Sequence, residues 1–246
     1  MTYTLVIVNE VLAPKDAEVF LRLAQEWVPK CQSPEAGWDT LFNNITLIND
    51  LGAVKTYVEK AGEAPVYLTE RKAIKGDAGY HDWNATLQIP YAYCSLQNSR
   101  YMFGKFHYPL IVLAHKVGSL FFPKRTFGKF SILSQGLSTS FIHEVFEAIG
   151  NPQLKNISGS VPGTTLDSKG RALFMENADA VARTLIDWVD PVTQQNVAVT
   201  NFLFKKWFDK NATGKLDYAG VCTAPGQVAR GGYLFAVVGG KYVKVA

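Results

Sequence analysis

The sequence lacks three features: closely spaced cysteines, long apolar runs and clustered charge. Its 246 residues include only three cysteines, Cys31, Cys94 and Cys222, which are odd in number and far apart. Zinc ribbons and small disulfide-stapled folds need closely paired cysteines, so the sequence excludes both classes. We expect three reduced thiols that are mostly buried.

Segments that would direct the chain to a membrane are also missing. The N-terminus has no cationic region, and its apolar run from Tyr3 to Val8 has the length of a strand. The longest later apolar stretch, around Pro109 to Ala114, is far too short to cross a bilayer. The sequence therefore predicts a soluble protein without a secretory signal, made in the cytoplasm of the cell that expresses it.

The charge pattern and the missing motifs exclude further classes. Lys and Arg number 25 against 21 Asp and Glu, an excess of four that is spread along the chain. The adjacent basic pairs near aromatic residues, Lys124-Arg125 and Lys205-Lys206, are typical of a solvated face, so nucleic-acid binding is not expected. The sequence has no Gly-x-Ser-x-Gly elbow, no phosphate-cradling glycine loop and no cysteine beside a base. Nucleophilic hydrolases and nucleotide enzymes are therefore disfavoured.

The first hundred residues predict a mostly β layer. Runs rich in β-branched residues predict strands, and apolar residues at helical spacing after Pro14 predict a helix that follows the first strand. The predicted strands are Tyr3–Val11, Asn44–Ile48, Ala64–Thr69 and Thr86–Cys94, and the predicted helix is Pro14–Trp27. Turn-prone residues at 49–50 and 76–79 separate the strands.

The rest of the chain predicts mainly helices and a closing hairpin. The helix Leu137–Ile149 has hydroxyl side chains at its start and the stop signal Gly150-Asn151-Pro152 at its end. Other predicted elements are helices at 109–117, 172–188 and 201–207, a loop at 156–170, and a hairpin of 233–238 with 242–245. With no repeat and no long linker, we predict one α+β domain over residues 1–246, divided into a sheet half (1–100) and a mostly helical half (101–246).

The predicted helix 137–149 carries the motif His143-Glu144-Val145-Phe146-Glu147. His143 and Glu147 are four residues apart and share one helix face, so both side chains can reach one metal ion. In HExxH metalloproteases the intervening Glu polarises the metal-bound water, and Glu144 takes this place here. A carboxylate at the second ligand position also suits harder ions such as Mn²⁺ or Ca²⁺.

A third ligand must come from elsewhere in the chain. Glu176, on a predicted downstream helix with Asp179 one turn later, is the best candidate, and Asp179 is expected to orient His143 as an outer-shell carboxylate. His81, in Gly79-Tyr80-His81-Asp82, is expected near the site as a hydrogen-bond donor to the transition state or as a substitute ligand.

Each of these residues also has a structural interpretation. A His and a Glu four apart are common on exposed helices, but the apolar residues around the motif would make unpartnered charges costly to bury. Glu176 and Asp179 as solvated helix carboxylates, and His81-Asp82 as a turn with a local hydrogen bond, remain open. His107 and His115 have no partner pattern and are interpreted as structural.

The chain resembles a family of tailed-phage and prophage proteins with a zincin-like HExxE motif. The resemblance runs along the whole chain, in a fixed order of short segments, and it implies a zincin-like fold and a phage context. Its segments here are Ala24–Trp38, Gly79–Asp82, Ser140–Glu147 with Asn151-Pro152, Glu176–Asp179, Thr200–Asp209 and Ala224–Tyr233. Asn151 stands where the family usually has Asp, and Ala178, Ala180 and either Ala182 or Arg183 stand where it has Cys, Pro and a final Glu. If the missing Asp or Glu were ligands, this chain would bind metal weakly or not at all.

Two functions follow as expectations. The first is a divalent-metal-dependent, peptidase-like hydrolase in which His143, Glu147 and Glu176 bind Zn²⁺ or a harder ion and Glu144 with His81 serves catalysis on a peptide or protein. The second is a catalytically inactive virion or tail-associated protein, in which the zincin scaffold serves as a structural or binding module for other phage structural proteins. Neither function involves nucleic acid or a membrane, and in both the protein is made in the host cytoplasm.

Overall fold

The computed structural model describes residues 1–70, 78–96, 132–155, 169–239 and 241–245, which form a mixed α/β fold. The described chain contains nine strands, three α-helices and two 3-10 turns. The strands are β1 (Tyr3–Asn9), β2 (Phe42–Ile48), β3 (Glu63–Thr69), β4 (Gly79–Asn84), β5 (Ile89–Ser95), β6 (Leu185–Val189), β7 (Asn196–Thr200), β8 (Phe235–Val238) and β9 (Lys241–Lys244). The helices are α1 (Pro14–Cys31), α2 (Leu51–Thr56) and α3 (Ile132–Gly150), and the 3-10 turns are Asp179–Val181 and Lys205–Phe208.

A five-stranded mixed sheet occupies the N-terminal part. Its order is β2-β1-β3-β5-β4, in which the first four strands are parallel and β4 runs antiparallel to β5. The strand β4 is therefore an edge of the described sheet. In this register His81 pairs with Ala92, and Asp82 pairs with Tyr91, whose hydroxyl donates to the Asp82 carboxylate at 3.2 Å.

The helix α1 packs on the sheet through one apolar face. Val19, Phe20, Leu23 and Trp27 recur at helical spacing and are buried, as an amphipathic helix on a sheet requires. Pro14 starts the helix because proline at the first helical position loses no intrahelical hydrogen bond. These contacts place α1 beside α3.

The helix α3 is buried on most of its circumference. It packs against β3, β4 and β5 on one side and against α1 and β7 on the others. The apolar side chains that fill these contacts are Phe141, Ile142, Val145, Phe146 and Ile149. The predicted helix over 137–149 is thus confirmed, with a start five residues earlier. A motif on such a helix faces protein on all sides, which makes the partners of its charged residues decisive.

An ion pair fixes the β6–β7 hairpin to α1. Arg22 donates from Nε and Nη2 to the two carboxylate oxygens of Asp190 at 2.7 and 2.9 Å, and the Asp190 side chain is fully buried. Thr193 also donates to Asp190 from its main-chain N–H, at 3.0 Å, and from its hydroxyl. This bidentate geometry aligns the hairpin turn with the middle of α1.

The prediction of a mainly helical C-terminal part is wrong for residues 169–239 and 241–245. The chain there forms the hairpins β6–β7 and β8–β9 and two 3-10 turns. Val197 and Val199 are buried on one face of β7, an alternation that favours a strand, while Asp190-Pro191 and Gln194 at φ 57° turn the chain between the two strands. Tertiary pairing therefore overrides the weak helical pattern of residues 172–188.

The other element predictions divide into three groups. The four N-terminal strands, the helix after Pro14 and the closing hairpin are confirmed within a few residues. The interpretation of His81-Asp82 as a turn is wrong, because cross-strand pairing with β5 holds both residues in β4. The helix predicted at 109–117 and most of the loop predicted at 156–170 lie outside the described residues. Among the described residues, no helix has both the length and the apolarity needed to cross a membrane.

Candidate metal centre

Six ionisable side chains from three segments meet beneath the sheet. The helix α3 supplies His143, Glu144 and Glu147, as predicted, and it packs against the N-terminal sheet. The strand β4 supplies His81, and the segment that follows residue 169 supplies the remaining two carboxylates, Glu176 and Asp179. The five residues other than His143 are less than 9% exposed, and the side chain of His143 is 12% exposed. We call these six residues the acidic cluster.

The first group in the acidic cluster consists of His143, Glu147 and Asp179. His143 Nε2 lies 3.0 Å from Glu147 Oε1 and 3.4 Å from Asp179 Oδ1. One ligand atom from each of the three residues lies within 4.8 Å of the others, a separation at which a single ion could contact all three. Local helix geometry brings His143 to Glu147, and the 3-10 turn at 179–181 brings the aspartate to both.

The second group consists of His81, Glu144 and Glu147. His81 Nδ1 lies 3.5 Å from Glu144 Oε2 and 3.5 Å from Glu147 Oε2. These ligand atoms also lie within 4.8 Å of one another. Glu147 therefore belongs to both groups and faces one histidine with each of its two oxygens.

Gly79 makes room for the carboxylate of Glu144. A Cβ atom on Gly79 would lie 2.7 Å from Glu144 Oε1 and 2.8 Å from Glu144 Cγ, closer than side-chain contacts normally come. Any larger residue at the start of β4 would therefore push Glu144 away from His81. The segment Gly79-Tyr80-His81 therefore contributes to the acidic cluster in two ways. Gly79 leaves space for the Glu144 carboxylate, and His81 supplies an imidazole.

Tyr233 reaches the acidic cluster from the C-terminal part of the chain. Its hydroxyl donates a hydrogen bond to the Asp179 carboxylate, and its main-chain N–H donates to Asp179 O at 3.0 Å. The preceding Gly232 passes so close to the 3-10 turn that a Cβ atom there would lie 2.2 Å from Ala180 O. Sequence reasoning assigned no role to Tyr233, because Gly231-Gly232 indicates only a turn. A double glycine directly before a tyrosine is the one signal it offered.

The two histidines are held in their charged form. Burial by itself lowers the pKa of His81, but its hydrogen bonds to Glu144 and Glu147 raise that pKa well above its usual range. Burial also lowers the pKa of His143, and the negative charge of Glu147 with the hydrogen bond to Asp179 outweighs it, so this pKa is raised as well. Without a bound cation, the two imidazoliums are the positive charges of the acidic cluster.

The positive charges of the two histidines do not stabilise the four carboxylates equally. The positive charges of His143 and His81 outweigh burial and lower the pKa of Glu147. Burial and the charge of Glu147 raise the pKa of Glu176 to about 7 and that of Asp179 well above its usual range, and burial raises the pKa of Glu144. The positive charge of His81 and hydrogen bonding with Asp179 lower the pKa of Glu176 by less than this. The four carboxylates therefore differ in how readily they ionise.

Two buried atoms of the acidic cluster make no hydrogen bond. They are His81 Nε2 and Glu147 Oε1, and the latter lies 3.0 Å from His143 Nε2 without the alignment of a hydrogen bond. Buried polar atoms are nearly always satisfied, and unsatisfied ones are explained by strain, function or an absent ion. Nitrogen and carboxylate oxygen are also the donor atoms that Zn²⁺ and related ions take. The residues present therefore fit a divalent cation.

The structure brings the predicted site residues together but distributes them differently from the prediction. Asp179, predicted to orient His143 from outside, contacts His143 and belongs to the first group. Glu176, predicted as the third ligand, lies beside Asp179 and belongs to neither group of mutually close ligand atoms, and its role as a ligand stays a prediction. His81 joins the second group, as one of its two predicted roles requires.

Asn151, Ala178 and Ala180, which the sequence analysis contrasted with the resembled family, are neighbours of residues in this cluster. Asn151 is fully buried just beyond the end of α3, where its main-chain N–H donates to Glu147 O at 2.7 Å. Ala178 and Ala180 are also fully buried, and they flank Asp179. Neither of the two groups draws on these positions, so their substitution leaves both sets of ligand atoms intact.

Comparison with known proteins gives no relative from which a function could be transferred. No protein-family model matches the sequence, no curated protein is significantly similar to it, and no solved structure matches it significantly.

Proposed function

We propose that the protein is a divalent-metal-dependent hydrolase of the peptidase type, built on a zincin-like scaffold. The observation that carries the proposal is the first group, in which His143 Nε2, Glu147 Oε1 and Asp179 Oδ1 converge in a buried setting. Three protein ligands that leave room for a water or substrate are the arrangement of catalytic zinc sites. A bound ion would polarise the scissile carbonyl and acidify a water molecule.

The order of elements supports the zincin-like scaffold. A mixed sheet comes first, its antiparallel edge strand β4 lies against the helix that carries the HExxE motif, and the third ligand comes from a later segment. This arrangement lets His143 and Glu147 come from one helix turn, while residues far along the chain complete the site. The fold prediction from sequence rested on a sheet followed by the motif helix and a mainly helical remainder, and only the first two of these are found.

Glu144 is the candidate for proton transfer. It lies one residue after His143 on α3, and it is buried beside His81 rather than beside Asp179. Burial raises its pKa, and a base poised nearer to neutral pH is better matched to accepting a proton and returning it to a leaving amine. His81 donates to Glu144 and fixes the direction of its carboxylate.

The strand β4 supports a peptide as the substrate. It is the edge strand of the described sheet, so its outer side is where an extended main chain would add as a further strand. His81 lies in the middle of β4 and faces the acidic cluster, which sets the carbonyl groups of a paired peptide near Glu144. Extended polypeptides are therefore the substrate class that this edge fits best.

One pair of variants tests the proposal. With one equivalent of Zn²⁺ or Mn²⁺, Glu144→Gln should keep the bound ion and the melting temperature but abolish cleavage of a peptide library, because the side chain keeps its shape and loses its basicity. His143→Ala should lose both the ion and the cleavage. Metal content is measured by elemental analysis and cleavage by mass spectrometry.

The opposite results would support the structural alternative. A protein that binds no divalent ion, and whose library digest does not change when Glu144 is replaced, is not a hydrolase of this kind. Asp82→Asn is the matched control, because Asp82 lies next to His81 on β4 but bonds to Tyr91 and not to the acidic cluster. It should leave metal content and cleavage unchanged.

A further inference from the structure

The two groups of the acidic cluster share one residue and no oxygen atom. Glu147 presents Oε1 to His143 at 3.0 Å and Oε2 to His81 at 3.5 Å. Each group has one histidine and one further carboxylate of its own, Asp179 in the first and Glu144 in the second. A carboxylate with a different nitrogen ligand at each oxygen is placed as a bridge between two ions.

The spacings within the two groups match those between ligands of one ion. Tetrahedral ligands at about 2.1 Å from an ion are separated from each other by about 3.4 Å. The histidine-to-carboxylate separations are 3.0 and 3.4 Å in the first group and 3.5 and 3.5 Å in the second, all within about 0.4 Å of that value. The second group is therefore spaced as well as the first for an ion at its centre.

One unbonded atom lies on the shared carboxylate. Glu147 Oε1 is buried without a hydrogen bond, although the Glu147 side chain is only 7% exposed. An ion in the first group would satisfy this oxygen and leave Oε2, on the side of His81 Nδ1, for a second ion.

We propose that the acidic cluster is a two-ion centre, in which His81, Glu144 and Glu147 bind a second divalent cation and Glu147 bridges it to the first. The inference rests on the proposed function for the first ion only. Carboxylate-bridged pairs of this kind place their ions about 3.5–4 Å apart. The histidine and carboxylate ligands of the second position suit Zn²⁺ and Mn²⁺.

The second ion changes the role of Glu144. As a ligand of that ion, Glu144 is no longer free to accept a proton, so the one-ion form is the form in which Glu144 acts as a base. The two positions then differ in function: the first serves hydrolysis, and the second controls whether Glu144 takes part in it. Hydrolysis that depends on Glu144 should fall as the second position fills.

The test is the number of ions that the full-length protein binds. Apo-protein is titrated calorimetrically with ZnCl₂ and, separately, with MnCl₂, and the bound metal is counted by elemental analysis after dialysis. Wild type should bind two equivalents, and Glu144→Gln and Asp179→Asn should each bind one. Glu147→Gln should weaken both positions, and Asp82→Asn on the opposite face of β4 should still bind two.

The outcomes separate the two proposals. If wild type and Glu144→Gln both saturate at one equivalent, the second position is refuted and the proposed function stands. If wild type binds no ion, both fail.

Electron paramagnetic resonance of the Mn²⁺-loaded wild type gives an answer that needs no variant. Two Mn²⁺ ions bridged by Glu147 are exchange-coupled and give a spectrum unlike that of isolated Mn²⁺. At two equivalents, a spectrum of uncoupled ions only would overturn the bridge even if two ions were counted.

Discussion

His143 Nε2 lies 3.0 Å from Glu147 Oε1, one turn further along α3. Residues four apart on a helix are neighbours on one face, so the pair by itself is local geometry. The pair indicates a metal site because the helix is buried and Glu147 Oε1 accepts no hydrogen bond. The pair thus forms one edge of a coordination site that other segments complete.

Asp179 and Glu176 compete as the third ligand of the first ion, and their amide variants distinguish them. Asp179→Asn should lower the affinity for the first Zn²⁺ by more than the roughly 10–100-fold typical of outer-shell changes, because Asp179 lies 3.4 Å from His143. Glu176→Gln should cost less, since Glu176 belongs to neither group of mutually close ligand atoms. Competition with a chromogenic chelator measures both affinities. The reverse order would restore Glu176 as the ligand.

Tyr233→Phe should weaken metal binding without unfolding the protein. The change removes the hydroxyl that donates to Asp179 and leaves the ring stacked edge-on against Phe235 and beneath the Lys244 ammonium. The expected loss of affinity is about 10-fold, in the range of outer-shell hydrogen bonds. Chelator competition and a thermal scan are the measurements. An unchanged affinity would show that the hydroxyl serves packing alone.

Gly79→Ala should displace Glu144 and destabilise the fold by about 1–3 kcal/mol, the usual cost of overpacking a core. The new methyl group would lie 2.7–2.8 Å from atoms of the Glu144 side chain. A double-mutant cycle with Glu144→Ala checks the cause by chemical denaturation. Because the shortened side chain removes the collision, the double variant should lose less stability than the two single variants added together. Strict additivity would place the strain elsewhere.

The Arg22–Asp190 pair should make stability fall at acid pH. The hydrogen bonds from Arg22 and Thr193 outweigh burial and lower the pKa of Asp190 to about 2, below its unfolded value near 4. The sign follows from linkage: the stabilisation is complete above about pH 4 and is lost as the pH falls through about 2, for a total of about 2 kcal/mol. Subtracting the pH profile of Asp190→Asn from that of wild type isolates this carboxylate. Parallel profiles between pH 2 and 4 would contradict the assignment.

Local patterns in the sequence determined several elements on their own. The helix that bears the motif follows from apolar residues around His143 and a Gly-Asn-Pro stop, and the strands β1, β2, β3 and β5 follow from β-branched runs. The pairing of His143 with Glu147 needs only the rise of a helix. These features depend on neighbours within a few residues, which is the range that a sequence pattern can report.

The tertiary structure decided which residues surround that pair. His81 and Gly79 reach Glu144 only because β4 pairs with β5, although Gly79 and Asp82 disfavour a strand. Asp179 reaches the helix only because residues 172–188 do not form the helix that their weak pattern predicts. Tyr233 reaches the acidic cluster only because Gly232, which has no Cβ atom, can lie close to Ala180. The sequence by itself therefore determined the helix and its two facing ligands. Long-range packing and strand pairing, which no local propensity encodes, decided that Asp179, His81 and Tyr233 complete the centre.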